Sequence, residues 1–190
     1  MCPRSRINVP EGFTLIEMLV AVTIVSILLL LGVPAIANLV RDSRLLSESY
    51  AFRAALNEAR SAALSRREFV SFCSSADGVG CGGGWRDGFI AFEDSNGNLS
   101  REAVDEALIL SRALDVGDDM TIRFDGAMGG VRFDSSGYAL SHEGSFVFCD
   151  SRGAAHARAL TVAGSGMVAA AVDSDGDGVV NLAGGNASCD

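Results

Sequence analysis

The chain has 190 residues, 48% of them hydrophobic, and a formal net charge of −9 from 24 acidic and 15 basic residues. Every basic residue is an arginine, since the sequence contains no lysine. This length suits one domain with an appendage, and the apolar content excludes an intrinsically disordered chain. The negative charge excludes a basic, nucleic-acid-binding composition for the chain as a whole.

Charge and hydrophobicity are divided unevenly along the sequence. Residues 18–40 carry no charge in twenty-three positions, whereas residues 68–190 carry 19 acidic residues and seven arginines, a net charge of −12. Twenty-three helical residues span roughly 34 Å, which is enough to cross a bilayer core of about 30 Å. Arg4 and Arg6 precede the apolar run and predict a cytoplasmic N-terminus. The sequence therefore predicts a membrane-inserting N-terminus joined to an acidic soluble domain.

Three interpretations of the N-terminal segment compete. It can be a cleaved secretory signal with a small-residue cleavage site at residues 35–37, an uncleaved signal anchor, or a prepilin-type segment. Glu17 favours the third, because it lies five positions after Gly12 and just inside the apolar run. A lone carboxylate there costs about 2.5–3.5 kcal/mol on insertion scales, and such residues usually have a functional partner.

Residues 12–17, Gly-Phe-Thr-Leu-Ile-Glu, resemble the class III signal of type IV pilins and type II secretion pseudopilins. The resemblance implies that a prepilin peptidase cuts between Gly12 and Phe13 and that Phe13 becomes N-methylated. It also implies that Glu17 pairs with the terminal amine of a neighbouring subunit during assembly, which agrees with the need of a buried carboxylate for a cation. Pro34 matches a helix-kink position of pilins.

After Val40 the pattern changes to that of an amphipathic helix. Small and apolar residues recur at alternating spacings of four and three, and no Gly or Pro interrupts residues 35–67. The pattern predicts one helix over residues 13–67, with a transmembrane half at 13–40 and an amphipathic half at 41–67 that packs on a globular domain. The predicted buried stripe consists of Leu45, Ser49, Phe52, Leu56, Ala59 and Ala63.

Residues 68–190 have the pattern of a β domain. Short β-branched or aromatic segments alternate with Gly, Asp, Asn and Ser, and no amphipathic helix separates them as parallel βαβ units would require. The predicted fold class is therefore α+β, a long N-terminal helix packed on an antiparallel sheet or sandwich. The predicted strands are residues 68–73, 88–92, 107–112, 120–124, 131–133, 137–140, 145–149, 157–163 and 166–172.

Four of the five cysteines remain once Cys2 is removed with the predicted leader, residues 1–12. An even number in an exported domain predicts two disulfides, with three connectivities to choose from. Proximity in sequence favours one bond between Cys73 and Cys81, which leaves Cys149 to pair with Cys189. The alternative is a metal site, but four scattered cysteines without a CxxC pair argue against zinc.

The globular domain extends the resemblance to a family. Residues 84–98 contain a Gly-Trp pair followed by Phe-Ile-Ala-Phe-Glu-Asp-Ser-Asn-Gly, and this segment is similar to a hairpin of the GspH/FimT family. Residues 144–166 resemble that family's C-terminal strands. The resemblance implies a minor pseudopilin or minor pilin of a type II secretion system or a type IV pilus. It further implies a single-pass inner-membrane precursor with a periplasmic domain, assembled with other subunits on an inner-membrane platform.

Two alternatives to this function differ in class. One is a DNA-binding minor pilin for DNA uptake, which in the FimT branch is associated with a C-terminal Gly-Arg-x-Arg pattern. The corresponding residues 166–169 are Gly-Met-Val-Ala, and the net charge of −12 opposes phosphate binding unless Arg152 and Arg158 form a segregated patch. No nucleic-acid partner is therefore expected. The other alternative is a secreted soluble β protein with an ordinary signal peptide.

A short acidic segment matches the first half of a calcium-binding loop. Asp173, Asp175 and Asp177 alternate and are followed by a glycine, an arrangement that suits a hard divalent cation. The twelfth position is Gly184 instead of the bidentate Glu of an EF-hand, and a solvated acidic turn is the competing interpretation. No cofactor is required, and calcium is the one metal these residues favour. Asp94, Asn96 and Asn98 form a second and weaker candidate set of calcium ligands.

Enzymatic function has little support in the sequence. The two histidines are His142 and His156, and neither lies beside a nucleophile motif such as Gly-x-Ser-x-Gly or a zinc motif such as HExxH. The chain is therefore expected not to be an enzyme.

Overall fold

The fold is known from a computed structural model, which describes residues 12–117 and 119–190. The predicted leader, apart from Gly12, lies outside the described residues. The chain divides into two compact units, one that ends at Val40 and one that runs from Arg41 to Asp190. The elements are helix α1 (Leu15–Arg66), strands β1 (Val70–Ser74), β2 (Gly88–Glu93), β3 (Leu108–Ala113), β4 (Met120–Phe124), β5 (Val131–Phe133), β6 (Gly144–Asp150), β7 (Arg158–Val162), β8 (Val168–Ala170), β9 (Asn181–Leu182) and β10 (Gly185–Asn186), and a 3₁₀ turn (Ala154–His156).

Helix α1 begins in an apolar segment with no charge between Glu17 and Arg41. Among the described residues it is the one helix long and apolar enough to cross a bilayer, and its apolar window is wholly exposed within the chain. Pro34 lies inside the helix, which continues on both sides of it. The length and composition of this segment therefore fit the predicted transmembrane half.

The second half of α1 buries one face, as its periodicity predicts. All six residues of the predicted stripe are buried, and Ala55 joins them. Leu45, Phe52 and Leu56 are at most 1% exposed, so the large side chains fill the space between helix and sheet. Ala59 and Ala63 carry only methyl groups, which lets the backbone of the helix come close to the elements packed on it.

Two four-stranded antiparallel sheets make up most of the β domain. Their strand orders are β3-β2-β1-β5 and β4-β6-β7-β8, and β9 and β10 form a separate short hairpin. The pairing of β1 with β2 places Phe72 opposite Ala91, and the pairing of β6 with β7 places Phe146 opposite Leu160. The predicted fold class is confirmed, since a long N-terminal helix packs on antiparallel sheets.

Aromatic rings form the centre of the core between α1 and the two sheets. The ring of Phe52 on α1 lies 4.6 Å from that of Phe89, 5.1 Å from that of Phe148 and 5.4 Å from that of Phe146. Phe89 belongs to the first sheet, whereas Phe146 and Phe148 belong to the second. Trp85 packs edge-on against Phe146 at 4.8 Å. One helical side chain thus holds both sheets to the helix through apolar contact.

An ionic cluster holds α1 to the end of β6. The guanidinium of Arg152 donates to both carboxylate oxygens of Asp150 and, at 2.7 Å, to Asp42 on the helix. Only 4% of the Asp150 side chain and 11% of the Arg152 side chain are exposed. The bonds from Arg152 lower the pKa of Asp150, because they stabilise the charged carboxylate.

Both disulfides have the pairing that proximity in sequence favours, Cys73 with Cys81 and Cys149 with Cys189. The second bond fastens the C-terminal segment across the outer face of the second sheet, where a small apolar cluster forms. Its buried members are Val147, Cys149, Ala157, Ala159 and Ala187.

The strand predicted at residues 137–140 is wrong. The carboxylate of Asp134 accepts a bond from the backbone N–H of Tyr138 at 3.0 Å, and the N–H of Asp134 donates to the carbonyl of Tyr138, which closes a tight turn. Gly137 has a φ of 76°, a left-handed conformation that glycine adopts readily and that a strand does not contain. The segment is attached to the rest of the domain by a bond from the N–H of Ala139 to the carbonyl of Gly164 and by a bond from the guanidinium of Arg60 on α1 to the carbonyl of Gly137.

Candidate assembly site

The residues of the predicted processing and assembly site are consecutive at the start of α1. The backbone N–H of Glu17 donates to the hydroxyl of Thr14 at 3.3 Å, and the N–H of Met18 donates to the carbonyl of Thr14. Thr14 is therefore the N-cap of the helix, in the Thr-x-x-Glu arrangement typical of a capping box. A carboxylate in the first turn also interacts favourably with the positive end of the helix dipole.

Phe13 and Glu17 are both accessible. The side chain of Phe13 is 77% exposed, and Glu17 is exposed one helical turn further along. Within residues 12–117 and 119–190, the structure records no ion pair to Glu17, and the next charged residue along the helix is Arg41. The carboxylate is thus available to a cation supplied from outside this part of the chain.

The loop after β2 is built around a fully buried carboxylate, that of Asp94. It accepts hydrogen bonds from the hydroxyl of Ser71 at 2.5 Å and from the backbone N–H groups of Asn98 and Leu99 at 3.0 and 3.1 Å. Gly97 has a φ of 71°, which lets the chain turn back over Asp94. The Asp-Ser-Asn-Gly-Asn pattern is therefore explained by the turn itself.

Two glutamates that the sequence does not single out complete this loop. Glu106 is 3% exposed and accepts bonds from the backbone N–H groups of Ser95 and Glu102. Burial raises the pKa of Glu106, and the neighbouring carboxylate of Glu102 raises it further. The amide of Asn98 donates to Glu102 and lowers its pKa. No local pattern could have indicated this pair, because the loop fold brings the two glutamates to the amides they contact.

The acidic segment predicted as a calcium loop is a surface turn whose three carboxylates converge. One oxygen each from Asp173, Asp175 and Asp177 lie within 4.8 Å of one another, and all three residues are exposed. The carboxylate of Asp173 accepts bonds from the backbone N–H groups of Gly178 and Gly176, and these bonds lower its pKa. The donor set suits a hard cation such as calcium.

Two asparagines on the following hairpin contact the same carboxylates. The amide of Asn181 on β9 donates to Asp175 at 3.4 Å, and the amide of Asn186 on β10 donates to Asp177. Local sequence does not predict this hairpin, because each strand has only two residues and no apolar alternation. The turn is therefore held by amide and backbone donors, and calcium binding stays a prediction.

Comparison with known proteins decides the family. The model of the prokaryotic N-terminal methylation motif matches residues 10–33, which contain Gly12, Phe13 and Glu17. The family described as type II transport protein GspH matches residues 49–166, more than half of the chain. The chain belongs to the GspH family. The chain therefore contains both the N-terminal methylation signal and the GspH globular domain. The class III signal predicted at residues 12–17 is confirmed.

Solved structures with the same fold include the type IV minor pilin FimU of Pseudomonas aeruginosa in two crystal forms. One is 22% identical, with a TM-score of 0.54 over 67% of this chain and 88% of the other. The second is 21% identical, with a TM-score of 0.52 over 66% of this chain and 90% of the other. Among functionally curated proteins, none matches the chain at a significant level.

The family and the fold together define the class of this GspH-family protein. It is a minor pseudopilin or minor pilin of a type II secretion system or a type IV pilus, with a prepilin-type N-terminus and an apolar helix that fits membrane anchoring. Membership in the family implies assembly with other pilin-like subunits. The hairpin that carried the resemblance is observed as β2 and the turn around Asp94.

Proposed function

We propose that a prepilin peptidase cuts this precursor between Gly12 and Phe13, and that the new N-terminal Phe13, once methylated, directs assembly into a filament. The observation that carries the proposal is Glu17, an exposed carboxylate one turn into an apolar helix. A carboxylate in hydrocarbon is costly unless it is paired. The α-amino group of a neighbouring subunit, freed by cleavage four residues before Glu17, is a cation at the matching depth.

The proposed topology has a cytoplasmic leader, α1 in the inner membrane and the β domain in the periplasm. Arg4 and Arg6 before the apolar run favour this orientation through the positive-inside rule. The two disulfides support it, since disulfides persist in an oxidising compartment such as the bacterial periplasm. The proposed partners are the peptidase, the inner-membrane assembly platform and other subunits. The proposed role is structural, without catalysis and without a required cofactor.

N-terminal sequencing of the mature chain, purified from membranes, tests the cleavage. The expected N-terminus is Phe13 carrying an N-methyl group. An N-terminus at Asn38 would instead indicate a conventional signal peptide cut after residues 35–37, and it would refute both the cleavage site and the membrane anchor.

Replacing Glu17 with alanine tests the assembly role. We expect Glu17→Ala to be cleaved normally but to be depleted from sheared filaments, because the partner amine then has no carboxylate. Glu58→Ala is the matched control, since Glu58 is an exposed carboxylate on the same helix and outside the apolar segment. Incorporation of Glu17→Ala at the level of Glu58→Ala would refute the assigned role.

A further inference from the structure

Strand β4 forms an open edge of the second sheet. Among the strands in residues 12–117 and 119–190 it pairs with β6 alone, in a regular ladder from Met120 opposite Asp150 to Phe124 opposite Phe146. Just beyond that ladder, the N–H of Asp125 donates to the carbonyl of Ser145. Backbone groups of alternate residues point to opposite sides of a strand, so those of Ile122 and Phe124 face away from β6.

No described residue is recorded as bonding to the backbone N–H or carbonyl groups of Ile122 or Phe124. The edge therefore offers a row of unused donors and acceptors, which is the feature that lets a sheet accept another strand. The other edges are less suitable. Strands β5 and β8 have three residues each, and the pairing of β3 with β2 is interrupted by a register shift between Ala91 and Phe92.

A cavity of about 230 Å³ lies against the end of the same strand. It is lined by Arg123, Phe124 and Asp125, by Val147 of the neighbouring strand, and by the C-terminal hairpin, including Leu182 and Asn186. Both the end of β4 and the hairpin of β9 and β10 therefore contribute to its lining. A side chain from an added strand has space to enter there.

Arg123 is the cationic group of this surface, which also contains the carboxylate of Asp125. It is exposed, and the structure records no ion pair or hydrogen bond from its guanidinium to a described residue. By contrast, Arg112 on β3 pairs with Glu48 of α1, and Arg152 after β6 pairs with Asp150. Arg158 is likewise exposed and has no recorded ion pair among the described residues, but it belongs to the central strand β7, so Arg123 is the one of the two that lies on an open edge. A cation at that position is complementary to an acidic side chain on an added strand.

We propose that the free edge of β4 docks an extended segment of a neighbouring filament subunit as an additional antiparallel or parallel strand, with an acidic side chain of that segment opposite Arg123. The inference deepens the proposed function, because it names the surface through which the β domain contacts another subunit. Backbone bonds to Ile122 and Phe124 supply the affinity, while the ion pair to Arg123 selects the partner segment.

Site-specific photocrosslinking in cells tests this surface with the full chain. A photoreactive benzophenone amino acid replaces Thr121, which is exposed on β4, and the adduct is mapped by mass spectrometry. The expected adduct joins β4 to a segment of another pilin-like subunit that contains Asp or Glu. Introducing Arg123→Glu should lower its yield about tenfold, because like charges then face each other across the added strand.

Two controls make the result decisive. Arg158→Glu makes the same charge change at an exposed arginine of the central strand β7 and should leave the yield within about twofold. Both variants are checked for their two disulfides on non-reducing gels, which reports whether they fold. A second probe, in place of the exposed Tyr50 on α1, reports subunit contact that does not involve β4.

Three outcomes would overturn the inference. The first is a subunit adduct from the Tyr50 position and none from the Thr121 position, in which case Arg123 serves only to keep other strands away from the edge. The second is an adduct at Thr121 whose yield Arg123→Glu leaves unchanged. The third is the absence of both adducts together with a mature N-terminus other than Phe13, which would refute the proposed function as well.

Discussion

Single buried polar groups set the shape of the loop after β2. The carboxylate of Asp94 is fully buried and receives one bond from Ser71 and two from backbone N–H groups. Removing it leaves these donors unsatisfied, so Asp94→Ala should lower the free energy of unfolding by about 1–3 kcal/mol. Asp105→Ala, in the exposed part of the same loop, should change it by less than about 0.5 kcal/mol.

Urea unfolding of the detergent-solubilised chain, followed by the fluorescence of Trp85, measures this difference. Trp85 is the one tryptophan of the sequence and packs against core phenylalanines, so its emission reports the loss of the core. Equal effects of the two substitutions would mean that the Asp94 network does not stabilise the domain.

The pair of glutamates in this loop makes stability depend on pH. Burial raises the pKa of Glu106 above its ordinary value of 4.5, so the folded state holds this proton more tightly than the unfolded state. The contribution of Glu106 is therefore complete below pH 4.5 and is lost as pH rises through the raised pKa. Glu102 behaves in the opposite way, because its pKa is lowered and its contribution is lost as pH falls.

Melting temperatures recorded between about pH 4 and pH 7 compare the two glutamates. Relative to the unsubstituted chain, Glu106→Gln should gain stability as pH rises, since glutamine never carries the buried charge. Glu102→Gln should show the reverse trend, with its deficit greatest at the upper end of the range. Parallel curves for all three proteins would contradict the assignment of opposite shifts.

At the scale of elements, the disulfides differ in the length of chain that they close. Cys73 and Cys81 are 8 residues apart, whereas Cys149 and Cys189 are 40 apart and hold the C-terminal segment on the second sheet. In the chain-entropy model the shorter loop contributes about 2.5 kcal/mol and the longer one about 4 kcal/mol. Replacing both cysteines of a bond with serine should therefore destabilise the chain more for the Cys149–Cys189 pair.

The same urea unfolding assay measures the two disulfide variants side by side. A greater loss for the Cys73–Cys81 variant would show that the Gly-rich loop contributes through native contacts more than through closure entropy.

The turn between β8 and β9 contains the three carboxylates predicted to bind calcium, and this prediction can be tested directly. If its carboxylates bind the ion, calcium should raise the melting temperature, with a gain of about 2.7 kcal/mol at a concentration one hundred times the dissociation constant. Asp175→Ala should abolish the gain, because the other two carboxylates leave the ion with too few oxygens. Asp105→Ala should retain it. An unsubstituted chain that calcium leaves unchanged in calorimetry and melting would identify a purely structural turn.

At the scale of the whole molecule, the charge predicts that the chain does not bind nucleic acid. The β domain has a net charge of −12. Arg152 is one of the two arginines that could have formed a basic patch, but its guanidinium is hydrogen-bonded to Asp150 and Asp42. The purified full chain in detergent should therefore not retard duplex DNA in a gel-shift assay at physiological salt. Retardation at micromolar protein that weakens with salt would overturn this expectation and favour the DNA-uptake alternative.

The features that local sequence predicted well are those that depend on neighbouring residues. The stripe from Leu45 to Ala63 follows from helical periodicity, and the disulfide between Cys73 and Cys81 follows from proximity. The strand proposed at residues 137–140 failed because Asp134 and Gly137 form a turn there, a competition that a short apolar run does not reveal. The candidate assembly site could be proposed from the sequence because a carboxylate within an apolar run stands out without knowledge of the fold.

The amino-acid sequence by itself determined the apolar helix, the prepilin-type signal with Glu17, the α+β class and the family resemblance. These are patterns of residues close together in the chain, and their physics acts over one or two turns of backbone. Only the tertiary structure decided which strands are edges and how Glu102 and Glu106 share one loop. It alone also shows that Arg152 contacts a helix residue 110 positions away, while no ion pair of Arg123 is recorded among the described residues. Such features depend on loop closure and packing between distant segments, which no local pattern specifies.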